Sequence, residues 1–200
     1  MLTIYGGSTY NATKVLFTAE ELGVPYEYVH LNFVAGEHKS PAHLARHPLG
    51  KIPALERDDG PALYDSRVIC RFLDDRAAAN LYPAQRLWEV LTLEATADGI
   101  MDAAVLMVYE SRVRPEENRF APWVDGQWAK IGRALDALDQ RWLSHLNGPL
   151  DMGQIAVGVA LGYLDFRHAD RGWRSGRPGL AAWAAVFAER PSMVATRPVA

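Results

Sequence analysis

Apolar and polar positions along the chain follow one rhythm over the first eighty residues and another after them. "LTIY" (2–5) reads as a short strand that runs into the small-residue loop "GGST". From Asn11 the apolar residues Ala12, Val15, Leu16, Ala19 and Leu22 keep helical spacing, and Gly23 followed by Pro25 ends that helix. "YEYVHL" (26–31) is a second strand, and Ser40-Pro41 supplies an N-cap and first helical position for a short helix to about Arg46. "PALER", the turn "DDGP" and "ALYD" predict a β-hairpin. Asp65-Ser66 then caps a helix with apolar positions at 68, 69, 72 and 73. Strand, helix, strand, short helix, two strands and helix make an α/β unit.

Beyond "AAANLYPA" (77–84) strand signals cease. Helical segments are predicted over 86–112, 119–146, 152–165 and 179–190, the last ending before Pro191. In the second of these, Val124, Trp128, Ile131, Leu135, Leu138 and Trp142 step by four and three, which is a core stripe. All six tryptophans lie after residue 80, so composition breaks where the rhythm does. The predicted fold class is α/β plus all-α, with a thioredoxin-like N-terminal domain over 1–78 and an all-helical C-terminal domain over 85–200. No internal repeat or low-complexity stretch interrupts either.

Composition narrows the function classes. With a net charge of -3 the chain has no basic field for nucleic acid. The single cysteine, Cys70, sits between Ile69 and Phe72 on a helix and reads as a small core residue; one cysteine excludes a disulfide framework or a cysteine-rich metal site and fits a reducing, cytoplasmic setting. There is no signal-like start, and no window nears the ~18 apolar residues of a membrane span, so no membrane partner is expected. The six histidines read as scattered, with no helical pair at metal-ligand spacing, and no glycine-rich phosphate loop follows a strand. Neither metal nor cofactor is expected.

The stretch "HPLGKIPAL" (47–55) puts Pro53 directly before an apolar pair where a strand begins. Proline cannot donate to a sheet ladder, so it is either simply the first residue of that strand or a device. In a thioredoxin-like unit, a proline there is usually cis. Ile52 would then offer its backbone N–H and C=O to an extended peptide, as in strand addition.

"GEHKSPAHLARHPLGKIPAL" followed by "DSRVICRFL" resembles the glutathione-binding half of glutathione S-transferases. "ADGIMDAAVLMVYESRVRP" (97–115) and "AVGVALGYLDFR" (156–167) resemble the second half, most closely the bacterial YibF-like branch. The resemblance implies a homodimer that uses glutathione as substrate, with a second, more apolar pocket from the helical domain for a small electrophile. Glutathione carries an ammonium and a carboxylate at its γ-glutamyl end and a carboxylate at its glycine end. Asp65 suits the ammonium, and Ser66 offers a hydroxyl and a helix-terminal N–H to the adjacent carboxylate, although the pair also serves as a plain N-cap. The resemblance sets His38, Lys39 and Lys51 near the glycine carboxylate, against the alternative of solvated loop charges. On the first predicted long helix Met101, Val105, Val108, Tyr109 and Arg112 line the second pocket or pack the core. Asp98 and Asp102 lie one turn apart there, and the resemblance brings Asp98 toward the γ-glutamyl end.

The attacking thiol must be ionised. A free cysteine titrates near 8.5, and lowering that by about two units takes about 2.7 kcal/mol of preference for the thiolate. Alignment with the family's "SPxxRKV" stretch sets Thr9 at the catalytic serine and Tyr10 at the proline, a departure. Thr9 keeps a hydroxyl, and Asn11 completes a Thr-x-Asn arrangement resembling nu-class transferases; Ser8 and Tyr10 compete for the role, and both Thr9 and Asn11 suit a mere helix cap. With no cysteine at 8–11, mixed-disulfide chemistry has no protein nucleophile. Asp151 and Gln154 in "LDMGQIAVG" replace the family's usual capping pair yet still suit a capping box. The expected activity is conjugation of glutathione thiolate to an electrophile in detoxification. The alternatives are glutathione-dependent disulfide or peroxide reduction, and a glutathione-binding scaffold without chemistry.

Overall fold

The structure, a computed structural model, describes every residue except 34, 199 and 200; the last two end the expected helical domain and so lie outside the described residues. It divides into two compact units, 1–82 with 191–200, and 83–190.

The first unit is built on a four-stranded sheet in the order β2-β1-β3-β4, formed by β1 (Leu2–Gly6), β2 (Glu27–His30), β3 (Ala54–Arg57) and β4 (Gly60–Leu63). β1 runs parallel to β2, pairing Ile4 with Tyr28, and antiparallel to β3, pairing Ile4 with Leu55 and Tyr5 with Ala54. Two-residue alternation sends Leu2, Ile4 and Gly6 inward. Every residue of edge strand β2 is exposed. Against the sheet lie α1 (Tyr10–Glu21), α2 (Pro41–Arg46) and α3 (Ser66–Ala77). α1 ends as its sequence predicts: Gly23 takes φ 61°, and the Val24 N–H reaches back to the Ala19 carbonyl at 3.0 Å. Ser40 caps α2 by accepting from the His43 N–H at 3.3 Å, with Pro41 in the first turn.

The second unit consists of α4 (Leu87–Arg112), α5 (Ala121–Arg141), α6 (Leu143–Leu146), α7 (Met152–Arg167) and α8 (Pro178–Phe187). α7 is buried on all sides from Met152 to Leu161, which marks it as the central helix. Its capping box is complete: the Gln154 N–H donates to Asp151 at 3.3 Å, and the Asp151 N–H donates to the Gln154 side chain at 2.7 Å. Gly158 lets α8 approach α7, because a Cβ there would run into the Phe187 ring. The Ile131, Leu135 and Leu138 stripe of α5 is buried, while Trp128 and Trp142 are only partly so.

Two elements differ from the sequence reading. The helix expected over 119–146 breaks at Trp142, and the short α6 is fixed by Gln154, whose Nε2 donates to the carbonyls of His145, Leu146 and Gly148. Pro191, read as a terminator, instead opens α9 (Pro191–Ala195), which packs on α1 within the first unit, the Ser192 hydroxyl donating to the Glu21 carboxylate.

Candidate functional site

Three segments of the first unit converge: the loop from β1 into α1, the loop before β3, and the start of α3. Gly7 permits the first approach, since a Cβ there would crowd Ile52 Cδ1 and the Leu31 carbonyl, each at 3.1 Å. Thr9 is the N-cap of α1, with extended φ −125° and ψ 150°, but its side chain makes no capping bond. Its carbonyl accepts the first bond of the helix, from the Thr13 N–H, and a second from Thr13 Oγ1, both at 3.0 Å. The Thr9 hydroxyl is buried and has no hydrogen-bond partner among the described residues. A buried hydroxyl normally finds one. The plain cap reading therefore fails for this side chain.

Asn11 does not cap either. Its Oδ1 accepts from Ser66 Oγ at 3.1 Å, which ties the N-terminus of α1 to that of α3. Tyr10 occupies the first helical position with its ring buried. Asp65 caps α3, accepting from the Arg67 N–H at 3.0 Å and from its guanidinium at 3.2 Å, so the exposed carboxylate already faces one cation. Ser66 is buried beside it.

The Ile52–Pro53 peptide is cis, as is Tyr64–Asp65. Pro53 stands just outside β3, so no ladder bond is lost to it. The backbone groups of Ile52 make no hydrogen bond among the described residues. What fixes this loop is His43 on α2: its Nε2 lies 2.7 Å from the Lys51 carbonyl. A carbonyl only accepts, so Nε2 is the donor.

His38 is buried and stacks on Phe33 with ring centroids 4.0 Å apart and planes 5° from parallel. His47 is buried and stacks on Tyr64 at 4.2 Å, immediately before Asp65. Burial holds both imidazoles below the usual histidine range, helped at His38 by Lys39 and His43 and at His47 by His43 and Lys51, while Asp65 works the other way. Both are therefore neutral near pH 7. Lys39 and Lys51 are exposed at the rim.

The sequence reading missed His43 and His47 as site residues; they stand four residues apart but do not form a pair on one helix. His47 has already left the helix, at φ −136° and ψ 93°, and each ring has its own partner. Among the described residues no cluster of three or more ligating groups suits a metal ion.

On the second unit α4 carries the other proposed positions. Met101 is fully buried, Val105 and Val108 are partly buried, and Tyr109 and Arg112 are exposed near its C-terminus. Asp98 is partly buried and Asp102 exposed, one turn apart.

Sequence and structure comparisons show the family to which the chain belongs. Residues 10–76 match the glutathione S-transferase N-terminal domain and residues 121–185 the C-terminal domain. The uncharacterised GST-like protein YibF of Escherichia coli is 33% identical over 156 residues, covering 76% of this chain and 77% of that protein. A probable glutathione S-transferase of rice, GSTF2, is 44% identical, covering 96% of this chain and 93% of its own. A glutathione transferase family member from Pseudomonas fluorescens Pf-5, crystallised with bound glutathione, superposes with a TM-score of 0.91 at 43% identity over 100% of both chains. A crystal structure of a family member from the same strain with bound S-(propanoic acid)-glutathione gives 0.88 at 41% identity, over 100% of this chain and 98% of that one. Matched in sequence in both halves and in structure along its whole length, the protein belongs to the glutathione S-transferase family of enzymes.

Proposed function

We propose that this protein binds glutathione on its first unit and conjugates it, as the thiolate, to a small electrophile. The observation that carries the proposal is the Thr9 hydroxyl, buried at the N-terminus of a twelve-residue helix with no protein partner among the described residues. A hydroxyl donor and the positive end of a helix both favour a thiolate over a thiol. Asn11, already bonded to Ser66 through Oδ1, holds the neighbouring turn, and the buried Tyr10 stands beside both at the helix start. The unsatisfied backbone of Ile52 pairs with the extended tripeptide. Lys39, Lys51 and the neutral His38 receive the glycine carboxylate, while Asp65 and Ser66 receive the γ-glutamyl end. The α4 positions Met101, Val105, Tyr109 and Arg112 serve the electrophile.

In the reaction the thiolate sulfur forms the new bond to carbon, and the leaving group departs with its electron pair or, in an addition, the adjacent atom takes up a proton. Conjugation is favoured over disulfide reduction because a Pseudomonas fluorescens relative binds a glutathione whose sulfur carries a propanoic acid group. The Thr-x-Asn resemblance keeps reduction as the second reading, run by glutathione itself. A homodimer in a reducing, cytoplasmic compartment completes the proposal; Trp88, 76% exposed on α4, is a large apolar surface suited to a second copy.

The test is the ultraviolet absorbance of glutathione thiolate on titration with protein at neutral pH, with S-methylglutathione as the control that cannot ionise. A saturable signal is expected. Binding without the signal would overturn the thiolate mechanism.

A further inference from the structure

Within the helical unit, the C-terminal turns of α4 and α7 and the first turns of α5 surround a cavity of about 490 Å³. Arg112 from the last turn of α4 and Arg167 from the last turn of α7 both line it. Neither guanidinium is paired with a carboxylate among the described residues. Among the described residues, none of the acidic groups around the cavity pairs with either arginine. Glu110 accepts from Arg114 at 2.7 Å and from the Phe120 N–H at 2.8 Å, Asp125 faces Arg171 at 3.8 Å, and Asp170 is exposed.

A cation in the last turn of a helix is favoured by the helix dipole, by ~0.3–1 kcal/mol. That accounts for one solvated arginine on each helix; it does not account for two guanidiniums converging in one cavity. The carbonyl end of α4 is in any case already met by Arg119, which donates to the Ser111 carbonyl at 2.6 Å. Arg167 is only partly exposed, lies over the Phe166 ring at 4.0 Å, and feels both desolvation and the like charge of Arg112, each opposing its charged state. Its other neighbour, buried Tyr163, is hydrogen-bonded to it and supports its charge, but the phenol is held above its usual range and so is neutral, a partner that is no counter-ion. Two converging cations without a counter-ion call for an anion, and planar forks suit a carboxylate.

We propose that Arg112 and Arg167 form a carboxylate-binding site on the helical unit and that the electrophile conjugated by this protein is an acid. The second half rests on the conjugation reading above; the site itself does not. The matched probes are 4-chloro-3-nitrobenzoate and 4-chloro-3-nitrobenzamide, which differ only in the charged group. With either, the thiolate bonds to the ring carbon bearing chlorine and chloride leaves with the bonding pair.

Two readouts are taken on the full chain: affinity, by calorimetry with S-methylglutathione present so that no reaction occurs, and kcat/KM with glutathione. The expected result is acid bound about tenfold more tightly than amide, a preference lost in Arg112→Gln and in Arg167→Gln and largely kept in Arg112→Lys. Circular dichroism and glutathione titration show that each variant is folded. Equal affinity for acid and amide, or a preference that survives both glutamine substitutions, overturns the proposal. An acid preference in affinity with no turnover of either probe and no thiolate signal overturns the conjugation reading and the acidic electrophile with it, while the carboxylate site stands. A thiolate signal with acid and amide bound alike overturns only the carboxylate site.

Discussion

Thr9 has only a hydroxyl to offer, and that hydroxyl is not used by its own helix. Thr9→Ala is therefore expected to lower kcat for conjugation about a hundredfold, as loss of one preorganised donor does elsewhere, while glutathione affinity changes little. Thr9→Ser should restore most of the rate. Parallel loss of affinity and rate in the alanine variant would make Thr9 a binding residue instead. The buried histidines give a second residue-scale expectation. Because the folded chain holds His38 and His47 below their ordinary value of 6.5, it binds fewer protons there than the unfolded chain as pH drops below that value. The stability they contribute is complete above about pH 6.5 and is lost as pH falls toward their depressed values. Melting temperature should therefore fall between about pH 7 and pH 5, less steeply in His47→Asn; an unchanged slope would remove His47 from the account. Asp65 and Ser66 were legible as a helix start because a cap is written locally, whereas Thr9 was reached only through the family resemblance. His43 was not, because its role depends on a carbonyl eight residues away that only the folded turn brings to its Nε2.

Among the elements, α7 depends most on its start. Asp151 is fully buried, closes the capping box, lies 2.7 Å from His145 Nε2 and faces Arg86 at 3.5 Å. Asp151→Ala removes all three and should cost about 2–4 kcal/mol in urea unfolding, and Asp151→Asn, which keeps the cap acceptor, distinctly less. Gly158→Ala should cost about 1–3 kcal/mol by forcing the Phe187 ring off its stack with Trp183. A neutral result would mean that α8 moves aside freely. The capping box was visible from two residue identities, and α1, α2 and the hairpin followed from spacing and turn residues. The break at Trp142 was not visible, since the apolar stripe runs through it and the bonds that fix α6 come from Gln154. Pro191 was ambiguous in principle: proline ends one helix and starts another by the same missing N–H.

For the whole molecule, the shift in tryptophan use announced two units, but nothing in the sequence announced that the last segment returns to α1, a contact made through Ser192 and Glu21 across the length of the chain. Light scattering should give twice the chain mass of 22.2 kDa, and Trp88→Glu should shift it toward one. A monomeric parent would overturn the dimer. Glutathione at a hundred times its Kd should add about 2.7 kcal/mol of stability by linkage alone. Whether that gain is confined to the first unit can be read from one atom. Cys70, the sole thiol, is fully buried on α3 with its sulfur 3.5 Å from the Thr18 hydroxyl. An alkylating reagent can reach it only when the first unit opens, so in the native protein its labelling rate is a clock for that opening, blind to fraying elsewhere. Compared with global unfolding, the clock tells whether the two units melt together or whether the first opens before the second.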